Sequence, residues 1–236
     1  MKISVCMATY NGDLYIKKQL ESILSQLDTD DECIISDDGS TDNTLKIIET
    51  IADKRVQIFK NKTLKSPIFN FENAIKQSCG DIIVLSDQDD IWGLDKIEYI
   101  KKNIHENVVW LDMYNGNCID SDGKIIKNDL FKYLDVREGL SSNIKKNSFI
   151  GCNIAFSKEL LKYVIPFPND IPMHDMWLGC CAYMFGEVKF LDKHIFSYRL
   201  HDKNFTNRKV GILQKLIWRY QLIKNLLIRR IKIAFT

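Results

Sequence analysis

Ile82-Ile83-Val84-Leu85-Ser86-Asp87-Gln88-Asp89-Asp90-Ile91-Trp92 carries four consecutive apolar residues straight into three carboxylates. An apolar run of this length, rich in β-branched residues, reads as a buried strand. The acidic residues then sit where the strand ends and the chain turns over a sheet edge, the place where open α/β sheets bind ligands. Carboxylates this close repel one another, so grouping them costs free energy unless a cation or hydrogen-bond donors lie among them. A hard divalent cation, Mg²⁺ or Mn²⁺, meets such a cluster with oxygen ligands and leaves positions open for a diphosphate. The competing reading is a polar loop whose aspartates only cap the next helix.

Three more strand–helix units precede this stretch. Ile3 to Met7 reads as a first strand and Ala8-Thr9-Tyr10-Asn11-Gly12 as a turn. Residues 13–26 follow with Leu14, Ile16, Leu20, Ile23 and Leu24 at helical spacing. Glu32 to Ser36 is a second strand, and Asp37-Asp38-Gly39-Ser40-Thr41-Asp42 can cap a helix through Leu45, Ile47, Ile48 and Ile51. Val56 to Phe59 is a third strand, and residues 69–79 a third helix closed by Gly80. The alternation β-α-β-α-β-α-β predicts an α/β class, a mostly parallel sheet with helices on both faces.

Beyond Trp92 the pattern changes. A helix is predicted over 94–105, a long strand from Val108 to Ile119, a short one from Lys124 to Ile126 and another from Cys152 to Ser157. An apolar helix over 174–186 and late strands at Val188 to Leu191 and Ile195 to His201 complete a sheet shared by both halves.

Hydrophobic content of 45% in 236 residues suffices for one large domain. The seven cysteines are odd in number, scattered, and never spaced Cys-x-x-Cys. That spacing disfavours a disulfide framework or a zinc site, and predicts reduced, mostly buried thiols in the cytosol. The N-terminal strand leaves no room for a signal peptide, and no apolar run reaches the ~18 residues that span a bilayer. All 31 acidic residues lie in residues 1–202 with 24 of the basic ones, a net charge of −7; the nine remaining basic residues give the tail +9.

Two further loops follow strand ends and so share the edge of Asp87 to Asp90. They are Ala8-Thr9-Tyr10-Asn11 and Asp37-Asp38-Gly39-Ser40. Backbone donors, a tyrosine ring and carboxylates there can hold a nucleoside: the ring stacks on a base and an aspartate accepts from a base N–H or a ribose hydroxyl. Ser40 and Asp42 are expected to cap the helix, and Asp38 to face a ligand. A dinucleotide site is excluded because no Gly-x-Gly-x-x-Gly follows strand one, and a Walker A loop is absent. His174-Asp175 opens the apolar helix, where the helix N-terminus favours a carboxylate. Asp175 is read either as a cap or as a general base for a hydroxyl. In Tyr198-Arg199-Leu200-His201-Asp202-Lys203-Asn204, alternation puts Arg199 and His201 on one face, suited to a diphosphate and its metal.

The ordered set, together with Gly151-Cys152-Asn153, resembles family-two glycosyltransferases of the GT-A fold, most closely bacterial rhamnosyltransferases and related O-antigen and capsule enzymes. The resemblance covers residues 2 to about 207. It implies a GT-A domain, a Rossmann-like α/β/α sandwich over residues 1–207, with a nucleotide-sugar half to about 107 and an acceptor half beyond. It assigns Tyr10 and Asp38 to the base, with Ala8, Thr9 and Asp37 nearby. Asp87 is assigned to ribose or sugar, Asp89 and His201 to the metal, Asp90 to a supporting carboxylate, and Arg199 to the diphosphate. Asp175 becomes the base of an inverting transfer that needs Mn²⁺ or Mg²⁺, and Trp92, Gly151, Cys152, Asn153 and His174 fall in the acceptor region. The donor is expected to be dTDP-rhamnose or a UDP-hexose. The chain departs from the family at His174, where the usual acidic pair has a glutamate. The other readings are a catalytically inactive nucleotide-sugar-binding scaffold on the membrane, and a nucleotidyltransferase. The second lacks the Gly-rich basic loop it would need.

Residues 208–236 read as a basic amphipathic helix. Ile212, Leu213, Leu216, Ile217, Leu222, Ile223, Leu226 and Leu227 recur at helical spacing among lysines and arginines. Through its basic face it is expected to meet an anionic membrane, holding the protein on the inner face of the cell membrane beside a polyprenyl-diphosphate-linked acceptor. A helix packed on its own domain or a homodimer is the alternative. Nucleic acid is not expected, because the rest of the chain is acidic.

Overall fold

The structure, a computed structural model, describes residues 1–61, 65–201 and 210–235. The first half contains β1 (Ile3–Thr9), α1 (Ile16–Leu24), β2 (Glu32–Asp37), α2 (Thr44–Ile51), β3 (Val56–Lys60), α3 (Pro67–Gln77) and β4 (Ile82–Ser86). Each forms for a local reason. In α1, Ile16, Leu20, Ile23 and Leu24 are buried at i, i+4, i+7 and i+8, one stripe of a helix. At the start of α3, the Ser66 hydroxyl accepts from Phe69 N–H and Pro67 takes the first helical position, where its missing N–H costs nothing. β2 and β4 are buried at every position, as strands covered on both faces must be.

The second half adds β5 (Ile91–Trp92), α4 (Lys96–Lys102), β6 (Trp110–Ile119), β7 (Ile125–Lys127), α5 (Leu130–Leu134), α6 (Leu140–Lys145), β8 (Ile154–Ser157), α7 (Leu161–Val164), α8 (His174–Phe185), β9 (Glu187–Arg199) and α9 (Ile212–Ala234). All nine strands join one sheet in the order β3-β2-β1-β4-β8-β6-β9-β5, with β7 paired to β6. Six strands run the same way; β5, β7 and β8 are reversed. The predicted mostly parallel α/β sheet therefore holds, and the two halves share it. Right-handed crossovers put α1 and α2 on one face and, since the strand order reverses at β1, α3 on the other. α8 packs against α3 on that second face. It is apolar all round because it is enclosed by α3, α6, α7 and the sheet.

The expected break between the two late strands is a bulge inside β9: Tyr114 pairs with Leu191 but Asn115 with His194, so Asp192 and Lys193 are looped out. The Asn115 amide donates to Asp192 at 2.7 Å and holds the bulge. The strand stops at Arg199, so Leu200 and His201 continue as loop. The strand predicted from Cys152 begins two residues later, because Gly151–Asn153 form a 3₁₀ turn. Six of the seven cysteines are buried. Asp202, Lys203, Asn204, Arg208 and Lys209 of the sequence reading lie outside the described residues. Among the described residues, no helix is long and apolar enough to cross a membrane.

Candidate active site

The carboxyl ends of β1, β2 and β4 point to one edge, and there the start of α8 and the Gly151–Asn153 turn meet them. A cleft of about 780 Å³ lies along this edge. Ala8, Thr9, Tyr10, Asp38, Asp87, Asp89, Gly151, Cys152, His174 and Asp175 all line it. Ala8 and Asp175, 167 positions apart in sequence, thus line one cleft.

The nucleotide loops are held from behind. Asp37 accepts from the Gly39 and Ser40 amides at 2.9 and 2.8 Å and from the hydroxyls of Ser40 and Thr9 at 2.6 and 2.9 Å. Its carboxylate is committed to folding the loop, and it does not line the cleft. Asp38 does. Burial lifts its carboxyl above the usual range, against the hydrogen bond donated by Asn61 Nδ2 at 2.6 Å. Tyr10 is 53% exposed, while its backbone is clasped by Gln88. The Gln88 carboxamide accepts from Tyr10 N–H at 2.9 Å and donates to Tyr10 C=O at 3.0 Å, imitating a strand pair. Nothing in the sequence marks Gln88 for this, since the contact spans 78 residues.

Asp87 and Asp89 line the cleft and Asp90 does not. The Asp87 carboxyl is pushed well up by the protein around it, then by Asp89 and Asp90. Asp90 is buried and rises to about 7 for the same two reasons, burial first and then Asp89, against the Arg199 N–H that donates to it at 2.8 Å. Its Oδ2 is buried without a partner. Asp89 Oδ2 lies 2.8 Å from His201 Nε2. Ligand atoms of Asp87, Asp90 and Cys152 lie within 4.8 Å of one another. Burial holds the Cys152 thiol well above its usual range, so it stays protonated and is no ligand for a hard cation. Two carboxylates on the cleft wall, an imidazole joined to one of them and a third carboxylate behind form an oxygen-rich donor set that fits Mg²⁺ or Mn²⁺.

Arg199 is placed differently from its expected role. It is buried, its Nε donates to the Asp89 carbonyl at 2.7 Å, and its Nη1 to the carbonyls of Asp120 and Ser121 at 2.7 and 3.0 Å. It does not line the cleft; it ties the acidic loop to the β6–β7 turn. Its guanidinium also covers the Tyr15 ring at 4.5 Å.

Asp175 sits in the first turn of α8. Burial raises its carboxyl to about 6, opposed by donors from Met176 N–H at 2.6 Å, Asn147 Nδ2 at 3.0 Å and Gly151 N–H. Its charge is near enough to lift Asp87. His174 stacks on Phe71 at 4.1 Å, and burial lowers it to about 3, so the ring is neutral at pH 7. Gly151 is required beside it, because a Cβ there would lie 2.4 Å from His174 Nε2.

Trp92 and Asn153 lie behind the cleft, around a residue the sequence reading missed. Lys96 is fully buried, its Nζ 3.1 Å from Asn153 Oδ1 and 4.2 Å from the Trp92 ring centroid. Burial lowers its ammonium to about 7. The unfolded chain therefore binds more protons than the folded one between pH about 7 and the unfolded lysine value, and stability rises with pH there, by at most about 1.4 kcal/mol per pH unit. Urea melts at pH ~7 and ~9 should show this slope in the wild type and a flatter one in Lys96→Met; equal slopes would remove Lys96 as its source.

Comparisons with known proteins show the fold and the family. S. aureus TarS residues 1–349 in complex with UDP-GlcNAc superposes with a TM-score of 0.74 at 22% identity, covering 97% of this chain and 66% of that one. The mannosyltransferase PcManGT of Pyrobaculum calidifontis, solved with GDP-Man and Mn²⁺, gives 0.64 at 18% identity, covering 99% and 75%. The fold is that of the GT-A glycosyltransferases. Residues 4–165 match the family described as Glycosyl transferase family 2, and the chain belongs to that family. The dTDP-rhamnosyl transferase RfbG of Shigella flexneri is 33% identical over 234 residues, 89% of this chain and 76% of that protein. WfgD of Escherichia coli, a UDP-Glc:alpha-D-GlcNAc-diphosphoundecaprenol beta-1,3-glucosyltransferase, is 28% identical over 75% of this chain and 68% of its own length. An uncharacterized glycosyltransferase of Nostoc sp. is 30% identical over 86% of this chain, which spans 66% of that relative's length.

Proposed function

We propose that the chain is an inverting, divalent-cation-dependent glycosyltransferase. It moves a sugar from a nucleoside diphosphate sugar to a hydroxyl of a glycan carried on a polyprenyl diphosphate lipid, in bacterial O-antigen or capsule synthesis. The observation that carries this reading is the single cleft holding the Tyr10 loop, Asp38, the Asp87–Asp89 pair and Asp175. The names of RfbG and WfgD support dTDP-rhamnose or a UDP-hexose as donor, and that of WfgD a lipid-linked acceptor.

In this reading the Tyr10 ring stacks on the base, and Asp38 accepts from a base N–H or a ribose hydroxyl. Asp89, with His201 and Asp87, would hold Mn²⁺ or Mg²⁺, which when bound supplies positive charge against the diphosphate. Asp175 takes the proton of the acceptor hydroxyl as its oxygen bonds to the anomeric carbon. The bond from that carbon to the diphosphate oxygen breaks on the opposite face, so the configuration inverts and no covalent enzyme intermediate forms. The neutral His174 and Gly151 border the space for the acceptor hydroxyl.

The test is thermal stabilisation by UDP, dTDP and GDP, each with and without Mn²⁺. One nucleotide at about 100 times its dissociation constant should add about 2.7 kcal/mol with metal present. The shift should vanish in Asp38→Ala. No stabilisation by any of the three would sink the reading.

A further inference from the structure

α9 runs 23 residues, about 34 Å. Leu222, Asn225 and Leu226 are buried on one side of it, and Arg219, Lys224 and Arg229 also reach for the body. The Arg219 guanidinium donates to the Lys145 carbonyl, Lys224 pairs with Asp170 at 2.9 Å, and Arg229 donates to the carbonyls of Tyr163 and Ile165. Three of the six basic residues of α9, whose basic face is expected from the sequence to meet an anionic membrane, thus turn inward. Facing out is an apolar stripe: Leu213, Leu216, Tyr220, Ile223, Leu227 and Ile231 are 42–73% exposed and spaced three or four residues apart. An unbroken apolar stripe of this length is larger than a soluble surface carries without a partner.

We propose that this stripe seats in the headgroup–acyl boundary of a lipid bilayer, and that burial of its apolar side chains holds the protein there more than its charges do. The charge pattern selects a bilayer over a second copy of the chain. α9 contains no acidic residue, so its exposed cations Lys215 and Arg230 have no acidic partner on the helix. A symmetric α9–α9 contact would set these cations against their own copies, whereas lipid phosphates complement them. The placement is also suited to the cleft. Arg219 bonds the Lys145 carbonyl, the next residue Lys146 donates to the Leu134 carbonyl at 2.8 Å, and Tyr133 and Leu134 line the cleft. A helix lying on the bilayer is therefore joined through three residues to the cleft wall. This last step, delivery of a lipid-borne acceptor, rests on the proposed function; the seating itself does not.

The test floats the full chain with vesicles of phosphatidylcholine mixed with phosphatidylglycerol, at about 0.1 M and about 1 M salt, where the Debye length falls from about 10 to about 3 Å. The wild type should float at both. Ile223→Glu/Leu227→Glu, at two exposed positions, should keep its melting temperature and lose at least about tenfold in vesicle affinity. Arg230→Gln should lose about fivefold at low salt and nothing at high salt. No flotation, flotation abolished by high salt, or an unaffected double variant each overturns the proposal. A solution dimer split by the double variant, with no flotation, assigns the stripe to a second copy. Nucleotide-dependent stabilisation reads the catalytic proposal separately.

Discussion

Asp175→Asn is expected to slow sugar transfer by about 10²–10⁴-fold, the range for loss of a positioned general base. The asparagine fills the same space at the start of α8 and keeps an acceptor for the Met176 and Asn147 donors, so the fold should survive. The pH profile is the sharper readout. Burial raises the Asp175 carboxyl to about 6, and a base must be ionised to accept a proton. Wild-type transfer should therefore rise with pH through about 6, while the residual rate of the variant lacks that limb. Initial rates of nucleotide release between pH ~5 and ~8 decide it. An asparagine variant as fast as wild type would leave Asp175 only as a helix cap.

Asp89→Ala should have a comparable effect by a different route. It removes the carboxylate that opens on the cleft and leaves His201 without its 2.8 Å partner. If Asp89 and His201 hold the cation, transfer should drop by about 10³-fold, some 4 kcal/mol of transition-state stabilisation. Chelation by EDTA should bring the wild type down to the same level and do nothing further to the variant, because two lesions in one interaction do not add. A variant that still responds to Mn²⁺ as the wild type does would move the cation to Asp87 and Asp90.

Much of this site is legible in the sequence because parallel sheets obey a simple rule. Loops after Met7, Ser36 and Leu85 follow strands of one direction, so they share an edge and their acidic residues meet. For Asp175, position at the start of an apolar helix leaves a cap and a base both open, and the family resemblance points to the base; the structure places it on the cleft. What sequence hides is which way a polar side chain turns once it is there. Asp37 and Asp38 are neighbours of one chemistry; the first is spent on four hydrogen bonds, three within its loop and one from Thr9, and the second lines the cleft. Strand alternation puts Arg199 beside His201, yet its guanidinium is drawn to carbonyls of the β6–β7 turn. Lys96 carries no sign of burial in a segment that reads only as a helix over 94–105. α5 and α6, five and six residues long, are too short for a periodic pattern to register. α5 exists because Asp129 caps its start by accepting from Lys132 N–H at 2.9 Å and Asp135 ends it in a left-handed conformation at φ 53°.

The Arg199 clasp bears on how such chains can recombine. A single side chain from β9 holds the backbone of the acidic loop and that of the β6–β7 turn, and its own amide is received by Asp90. Grafting the first 107 residues of one relative onto the remainder of another would transplant Asp89 and Asp90 without the arginine that shapes them. The shape of the acidic loop in this chain is therefore inherited with β9, and an N-terminal cassette keeps it only where the recipient offers an arginine at the same register; a lysine, with no planar fork to reach three carbonyls, would not substitute.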